Sequence, residues 1–183
     1  MHVSKRLDTV SEIIDNLRRV FQVVNEQSKK VEKKTGLTGP QLWAIKTIAQ
    51  EAPIMVSEIA RRMYLHPATV VGILDRLEKQ DLVARVRSTI DKRVVRVELT
   101  KRGQGLLKKA PEVAQGLLVS GLEQLKTKNL ETIAASLEQL VAILGAQGIP
   151  PKLILSPEVN KPSVNNKKIG RSGIPRPQGK GKG

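Results

Sequence analysis

A mainly α-helical fold carrying one two-stranded β ribbon is what this sequence predicts, on three observations. Apolar residues recur at three-and-four spacing through most of the first 145 positions, the period of one helical face. Only between residues 83 and 99 does that period give way to alternation, the mark of strands. From about Gly148 onward proline, glycine, asparagine and basic residues take over, a composition that predicts a disordered basic tail over 148–183.

The first helix is predicted from Leu7 to Val31, with Val10, Ile13, Ile14, Leu17, Val20, Phe21 and Val24 along one stripe. It should break at Thr35-Gly36. Thr38 followed three residues later by Gln41 is a capping-box pattern and starts a second helix carrying Leu42, Trp43, Ile45 and Ile48, which Pro53 ends. A third, short helix is expected from Val56 to Met63, burying Ile59, Ala60 and Met63. Proline is tolerated in a helix's first turn, so Pro67 opens a fourth helix, its buried stripe being Val70, Ile73, Leu74 and Leu77.

After Leu82 the alternation of Val83 to Arg87 and Val94 to Leu99 predicts a two-stranded hairpin whose tip is Asp91-Lys92-Arg93. Helical spacing returns beyond Thr100 in Leu106, Leu107, Val113, Leu117, Leu118, Leu122 and Leu125, with a kink expected at Pro111. A last helix, capped near Asn129, carries Ile133, Leu137, Leu140, Val141 and Leu144, and Gly145 can terminate it.

Charge narrows the partner class. The 183 residues hold 32 Lys and Arg against 17 Asp and Glu, a net +15 with a sequence pI near 10.3, so phosphate-bearing partners are indicated. Residues 55–109 contain 13 basic and 6 acidic side chains and residues 145–183 contain 8 and 1, so each segment carries +7 and only +1 remains elsewhere. A uniformly basic, solubilising surface would not be partitioned in this way.

Several function classes find nothing to stand on. Without cysteine there are no disulfides and no thiolate metal sites within this chain. Two histidines, no glycine-rich phosphate loop and no converging carboxylates give no basis for an enzyme, a metal or a cofactor. His66, beside a proline at a helix start, reads as a cap rather than a ligand or pH sensor. The amino end lacks a continuous apolar core, so it is not expected to be a secretory signal, and no stretch approaches the roughly 18 apolar residues of a membrane span. A cytoplasmic, nucleoid-associated location is the expectation.

Two short helices joined by a tight turn let the second project its exposed face into a major groove. Thr69, Gly72 and Arg76 share that face, with Pro67, Ala68 and Val71 in the same first turns. Arginine can donate to guanine or to phosphate, threonine can bond either, and a glycine removes a side chain where the helix must approach bases. The same spacing also describes an ordinary amphipathic helix with a solvated face; the hairpin tips the reading toward DNA. Its ribbon is lined by Arg85, Arg87 and Arg96, and a long tip arginine can enter a neighbouring minor groove.

Val56-Ser57-Glu58-Ile59-Ala60, Pro67-Ala68-Thr69-Val70, Leu74-Asp75-Arg76-Leu77-Glu78, Asp91-Lys92-Arg93 and Leu99-Thr100-Lys101-Arg102-Gly103 stand in the order and spacing in which they resemble the multiple-antibiotic-resistance regulator (MarR) family. The resemblance covers residues 5–145. It implies a winged helix-turn-helix domain with a DNA-binding lobe over 38–100 and dimerisation helices over 7–34 and 101–145, assembled as a homodimer. It further implies that Pro67 to Lys79 form the recognition helix, Arg93 is the wing-tip arginine and Asp91 its structural partner. A small phenolic or anionic effector in the cleft between dimer helices and lobe is also implied, for which the aromatics Trp43, Tyr64 and Phe21 are candidates. Three residues depart from the pattern: Met55 and His66 stand where a small polar cap is usual, and Tyr64 replaces a common turn glycine.

The function expected is therefore a sequence-specific, double-stranded-DNA-binding transcriptional regulator, a repressor in the family's commoner mode. A non-specific architectural or nucleoid-associated DNA binder is the alternative. An RNA- or ribosome-associated protein comes third, since three aromatics leave little for base stacking. In the tail, Gly173 to Lys180 holds one Arg-Pro step of an AT-hook but lacks its second arginine.

Overall fold

A computed structural model describes residues 2–87, 95–151 and 153. The expected hairpin tip, with Asp91, Lys92 and Arg93, and nearly all of the expected tail lie outside the described residues.

The first helix, α1 (His2–Thr35), runs longer than its apolar stripe and stops where Gly36 takes a left-handed φ of 69°. Thr35 ties the end, donating its hydroxyl to Val31 O at 2.7 Å and accepting from Leu37 N at 3.2 Å. The expected capping box opens α2 (Gly39–Glu51): Gln41 N donates to Thr38 Oγ1, and Thr38 N donates to Gln41 Oε1 at 2.9 Å. Leu42, Ala44, Ile45 and Ile48 of α2 are fully buried and form the floor of the core.

Two residues, β1 (Ile54–Met55), then make a strand too short for any periodicity to announce. They pair with β3 (Val95–Leu99), which pairs in turn with β2 (Val83–Arg87), so the expected two-stranded ribbon is a three-stranded antiparallel sheet in the order β1-β3-β2. Ile54 opposes Val97, and Arg85 opposes Val97 from the other side.

Between β1 and β2 lie α3 (Val56–Arg62) and α4 (Pro67–Lys79). Ile59, Ala60 and Met63 face Val70, Ile73, Leu74 and Leu77, and all seven are buried. Each of the six larger side chains contributes roughly 1.5 to 3 kcal/mol on burial, so this interface holds the two helices together. Both helices end alike. Tyr64 (φ 51°) and Asp81 (φ 56°) occupy the left-handed position after the cap, while Leu65 N reaches Ala60 O and Leu82 N reaches Leu77 O, each at 3.0 Å.

At the sheet's other end Thr100 donates its hydroxyl to Asp81 O at 2.6 Å and accepts from Gly103 N at 3.1 Å, which opens α5 (Lys101–Leu107). Here the expected single kinked helix is corrected. Pro111 separates two helices, because a residue without an N–H that also pushes its predecessor out of helical conformation cannot continue a short helix containing Gly103 and Gly105. The chain resumes helix at α6 (Ala114–Glu123), with Val113 buried at its start.

The last helix, α7 (Thr127–Ile143), begins two residues before the expected Asn129, with Lys126 at its N-cap and no side-chain cap bond. Gly145 ends it in a left-handed turn, as expected: Gly145 N donates to Ala142 O and Ala146 N to Val141 O, both at 3.0 Å. Leu153, within the expected tail, lies half-buried against the core. By contrast α7 buries no residue, and Leu7, Val10, Ile13, Ile14, Val20 and Phe21 of α1 are exposed.

Candidate nucleic-acid interface

The exposed face of α4 is built by what its other face buries. With Val70, Ile73, Leu74 and Leu77 pointing inward, Pro67, Ala68, Val71, Gly72, Asp75 and Arg76 are left exposed and Thr69 half-exposed. Val71 shows 41 % of its surface although it is a large aliphatic residue on a folded helix. A methyl group placed on Gly72 would meet nothing within 4 Å among the described residues, so no contact with them requires glycine there.

His66 is the N-cap of α4 despite departing from the usual small polar residue. Its ring Nδ1 accepts from Ala68 N at 3.3 Å, which is the bond a serine or asparagine would make, and Pro67 follows at the first helical position. Met55 offers no such bond, and α3 starts without a side-chain cap. The turn before α4 closes through Tyr64, whose hydroxyl donates to Glu123 Oε1 of α6 at 2.8 Å. That bond to a carboxylate holds the phenol above its ordinary pKa.

Charge on the neighbouring helix is internally paired. Glu58 accepts from Arg61 and from Arg62, which hold its carboxyl down at about 2, and Arg62 also reaches Glu51 at 2.5 Å.

The ribbon arginines fare differently from one another. Arg85 turns back to α4, its Nη2 donating to Asp75 Oδ1 at 2.6 Å and its Nη1 to Glu78. Arg96 donates to Pro53 O at 3.2 Å, stapling β3 to the segment before β1. Arg87 closes β2 in register with Val95, and its side chain is outside the described residues. Sequence spacing had no means of separating Arg85 from Arg87.

A second feature is a cleft of about 360 Å³ lined by Trp43, Lys46, Tyr64, Glu112, Gly116 and Glu123 among others. Trp43 and Tyr64 are thus brought together, whereas Phe21 stands exposed on α1 and is not part of the lining. Lys46 bridges the cleft to Glu112 at 2.8 Å, so the lining is polar and charge-paired. Among the described residues no group of three His, Asp or Glu is placed to hold a metal, and no helix is long and apolar enough to cross a membrane.

Residues 37–95 match the model of the MarR family. The chain is 26 % identical over 137 residues to YsmB of Bacillus subtilis strain 168, described as an uncharacterized HTH-type transcriptional regulator; the match covers 75 % of this chain and 94 % of that protein. It is 35 % identical over 94 residues to the HTH-type transcriptional repressor MdtR of the same organism, covering 51 % of this chain and 61 % of MdtR. Its fold resembles that of Streptococcus pneumoniae FabT, solved in complex with DNA, with a TM-score of 0.51 at 19 % identity over 74 % of this chain and 97 % of FabT.

Proposed function

We propose that this chain, whose residues 37–95 match the MarR family model, is a sequence-specific DNA-binding transcriptional regulator that grips duplex DNA as a homodimer and represses transcription. One observation carries the specific reading: α4 directs its apolar stripe into the core and leaves Thr69, Val71, Gly72 and Arg76 outward. Val71 offers a methyl-bearing surface suited to thymine, Arg76 suits guanine or phosphate, and Gly72 keeps the helix surface low between them. In this reading Pro67, Ala68 and Thr69 lie at the groove floor. The wing, with Arg87, Lys92, Arg93 and its partner Asp91, enters the flanking minor groove.

The exposed apolar stripes of α1 and α7 support the homodimer, since a folded chain rarely leaves so many large aliphatics in water without a partner. Repression is supported by the name of MdtR. In this reading a small phenolic or anionic effector would enter the cleft holding Trp43 and Tyr64 by displacing Glu112 from Lys46 or Glu123 from the tyrosine hydroxyl.

Selection of duplexes from a random pool, followed by sequencing, tests the reading. A recovered inverted repeat with half-sites about one helical turn apart is expected. Recovery of unrelated sequences would favour the architectural alternative. Losing a base contact costs roughly 1 to 3 kcal/mol and relaxes specificity at one position. Thr69→Ala should therefore alter the preferred base, and a uniform loss on all duplexes would reduce Thr69 to backbone contact.

A further inference from the structure

The run Leu74-Asp75-Arg76-Leu77-Glu78 sends two leucines into the core and leaves Arg76 exposed, which accounts for every member except the two acids. Carboxylates on a helix offered to DNA should repel phosphate. Both are engaged by one cation from another element: Arg85 of β2 gives one guanidinium nitrogen to Asp75 and another to Glu78. The Arg85 side chain is 27 % exposed against 50 % and 40 % for the acids, so the guanidinium sits in the angle between helix and strand with the carboxylates outside it. A planar guanidinium with donors in a fixed fork holds two such groups in defined geometry, which a flexible ammonium cannot. The strand beneath is anchored as well, because Arg85 opposes the fully buried Val97.

We propose that Arg85 is a positioning residue for sequence recognition: through Asp75 and Glu78 it fixes the angle between α4 and the wing ribbon, and it offsets their charge, without itself touching DNA. A sequence-specific complex needs helix and wing in register with two grooves at once, whereas random duplex needs only positive charge near phosphate. Loss of the clamp should therefore separate the two kinds of binding. The proposal rests on reading α4 as the recognition helix.

Fluorescence anisotropy over a salt series, with the duplex that the wild-type chain selects and a scrambled duplex, makes the test. Asp75→Asn with Glu78→Gln removes two negative charges and leaves Arg85 in place. If Arg85 were a phosphate contact, this double variant would bind every duplex more tightly. The clamp has the opposite consequence at the selected site, a loss of roughly tenfold, with the scrambled duplex held as well as before or better. Arg85→Met should show the same selective loss with the slope of log affinity against log salt unchanged, and Arg85→Lys should fall between it and wild type. Should Arg85→Met melt below the assay temperature, the double variant, which opens no cavity, decides alone. Tighter binding to all duplexes by the double variant, a slope lower by about 0.9 in Arg85→Met, or unaltered selectivity in both would overturn the proposal. A wild-type chain with no preference between the two duplexes would instead overturn the reading of α4.

Discussion

Tyr64 donates its hydroxyl to Glu123 at 2.8 Å from a backbone held at φ 51°, so the turn leading into α4 is tied to α6 by a residue in a conformation that glycine adopts most readily. The strain and the bond can be separated by substitution.

A non-glycine residue in the left-handed region costs roughly 1 to 2 kcal/mol, and the extra freedom of glycine in the unfolded chain takes back about 0.4 to 1. Tyr64→Gly should therefore raise stability by about 0.5 to 1 kcal/mol, read as a higher urea midpoint with unchanged m-value. Tyr64→Phe keeps the backbone and removes only a solvent-exposed bond, so its midpoint should stay within about 0.5 kcal/mol of wild type. A glycine variant less stable than the phenylalanine one would mean that the ring's packing outweighs the strain.

Gly103 supplies the opposite case, a glycine that the fold cannot replace. A Cβ there would stand 2.1 Å from Leu82 O, a backbone atom that itself accepts from Thr100 N. Thr100 meanwhile joins Asp81 to the start of α5, so neither side can retreat without breaking the cap that ends α4. Gly103→Ala should destabilise the protein by roughly 2 to 4 kcal/mol, within the range of overpacking plus lost hydrogen bonds. Gly105→Ala, where a methyl meets nothing, is the control and should be neutral or stabilising by up to about 1 kcal/mol. Equal effects at both positions would remove the close approach as the cause.

What the sequence made legible was whatever a period or a local bond could carry. The stripe of α4, the capping box at Thr38 and the turn at Gly145 are all encoded within a few residues. Features depending on a distant partner were not. Ile54–Met55 is a strand only because Val97 and Arg96 lie beside it, and Arg85 could be separated from Arg87 only once Asp75 and Glu78 were seen across the helix–strand angle. Pro111 illustrates a third kind of miss: the apolar period persists on both sides of it, and only the weakness of a glycine-bearing α5 decides between a kink and a break.

The proposed homodimer has a direct test in α7. Leu137 is 53 % exposed, Leu140 is half-buried, and the helix has no buried residue to lose, so charging this face should leave the α2–α4 core intact. Leu137→Glu with Leu140→Glu should give a folded monomer by analytical ultracentrifugation, because two added carboxylates per chain would bury four in one two-fold interface. An unchanged dimer would place the assembly surface elsewhere.

The basic C-terminal segment should add affinity without choosing sequence. Leu153 packs against the core, so the cut that spares the folded unit falls after it; residues 154–183 then carry seven basic side chains and one acid, a net +6. By composition the segment offers mainly basic charge, so attraction to phosphate is its expected contribution. Each phosphate neutralised steepens the slope of log affinity against log salt by about 0.9. Removing 154–183 should accordingly flatten that slope and weaken selected and scrambled duplexes by the same factor, while the sequence recovered by selection stays the same. An unaltered slope would mean that the segment plays no part in DNA binding. A loss confined to A·T-rich duplexes would point instead to the single Arg176-Pro177 step acting in the minor groove.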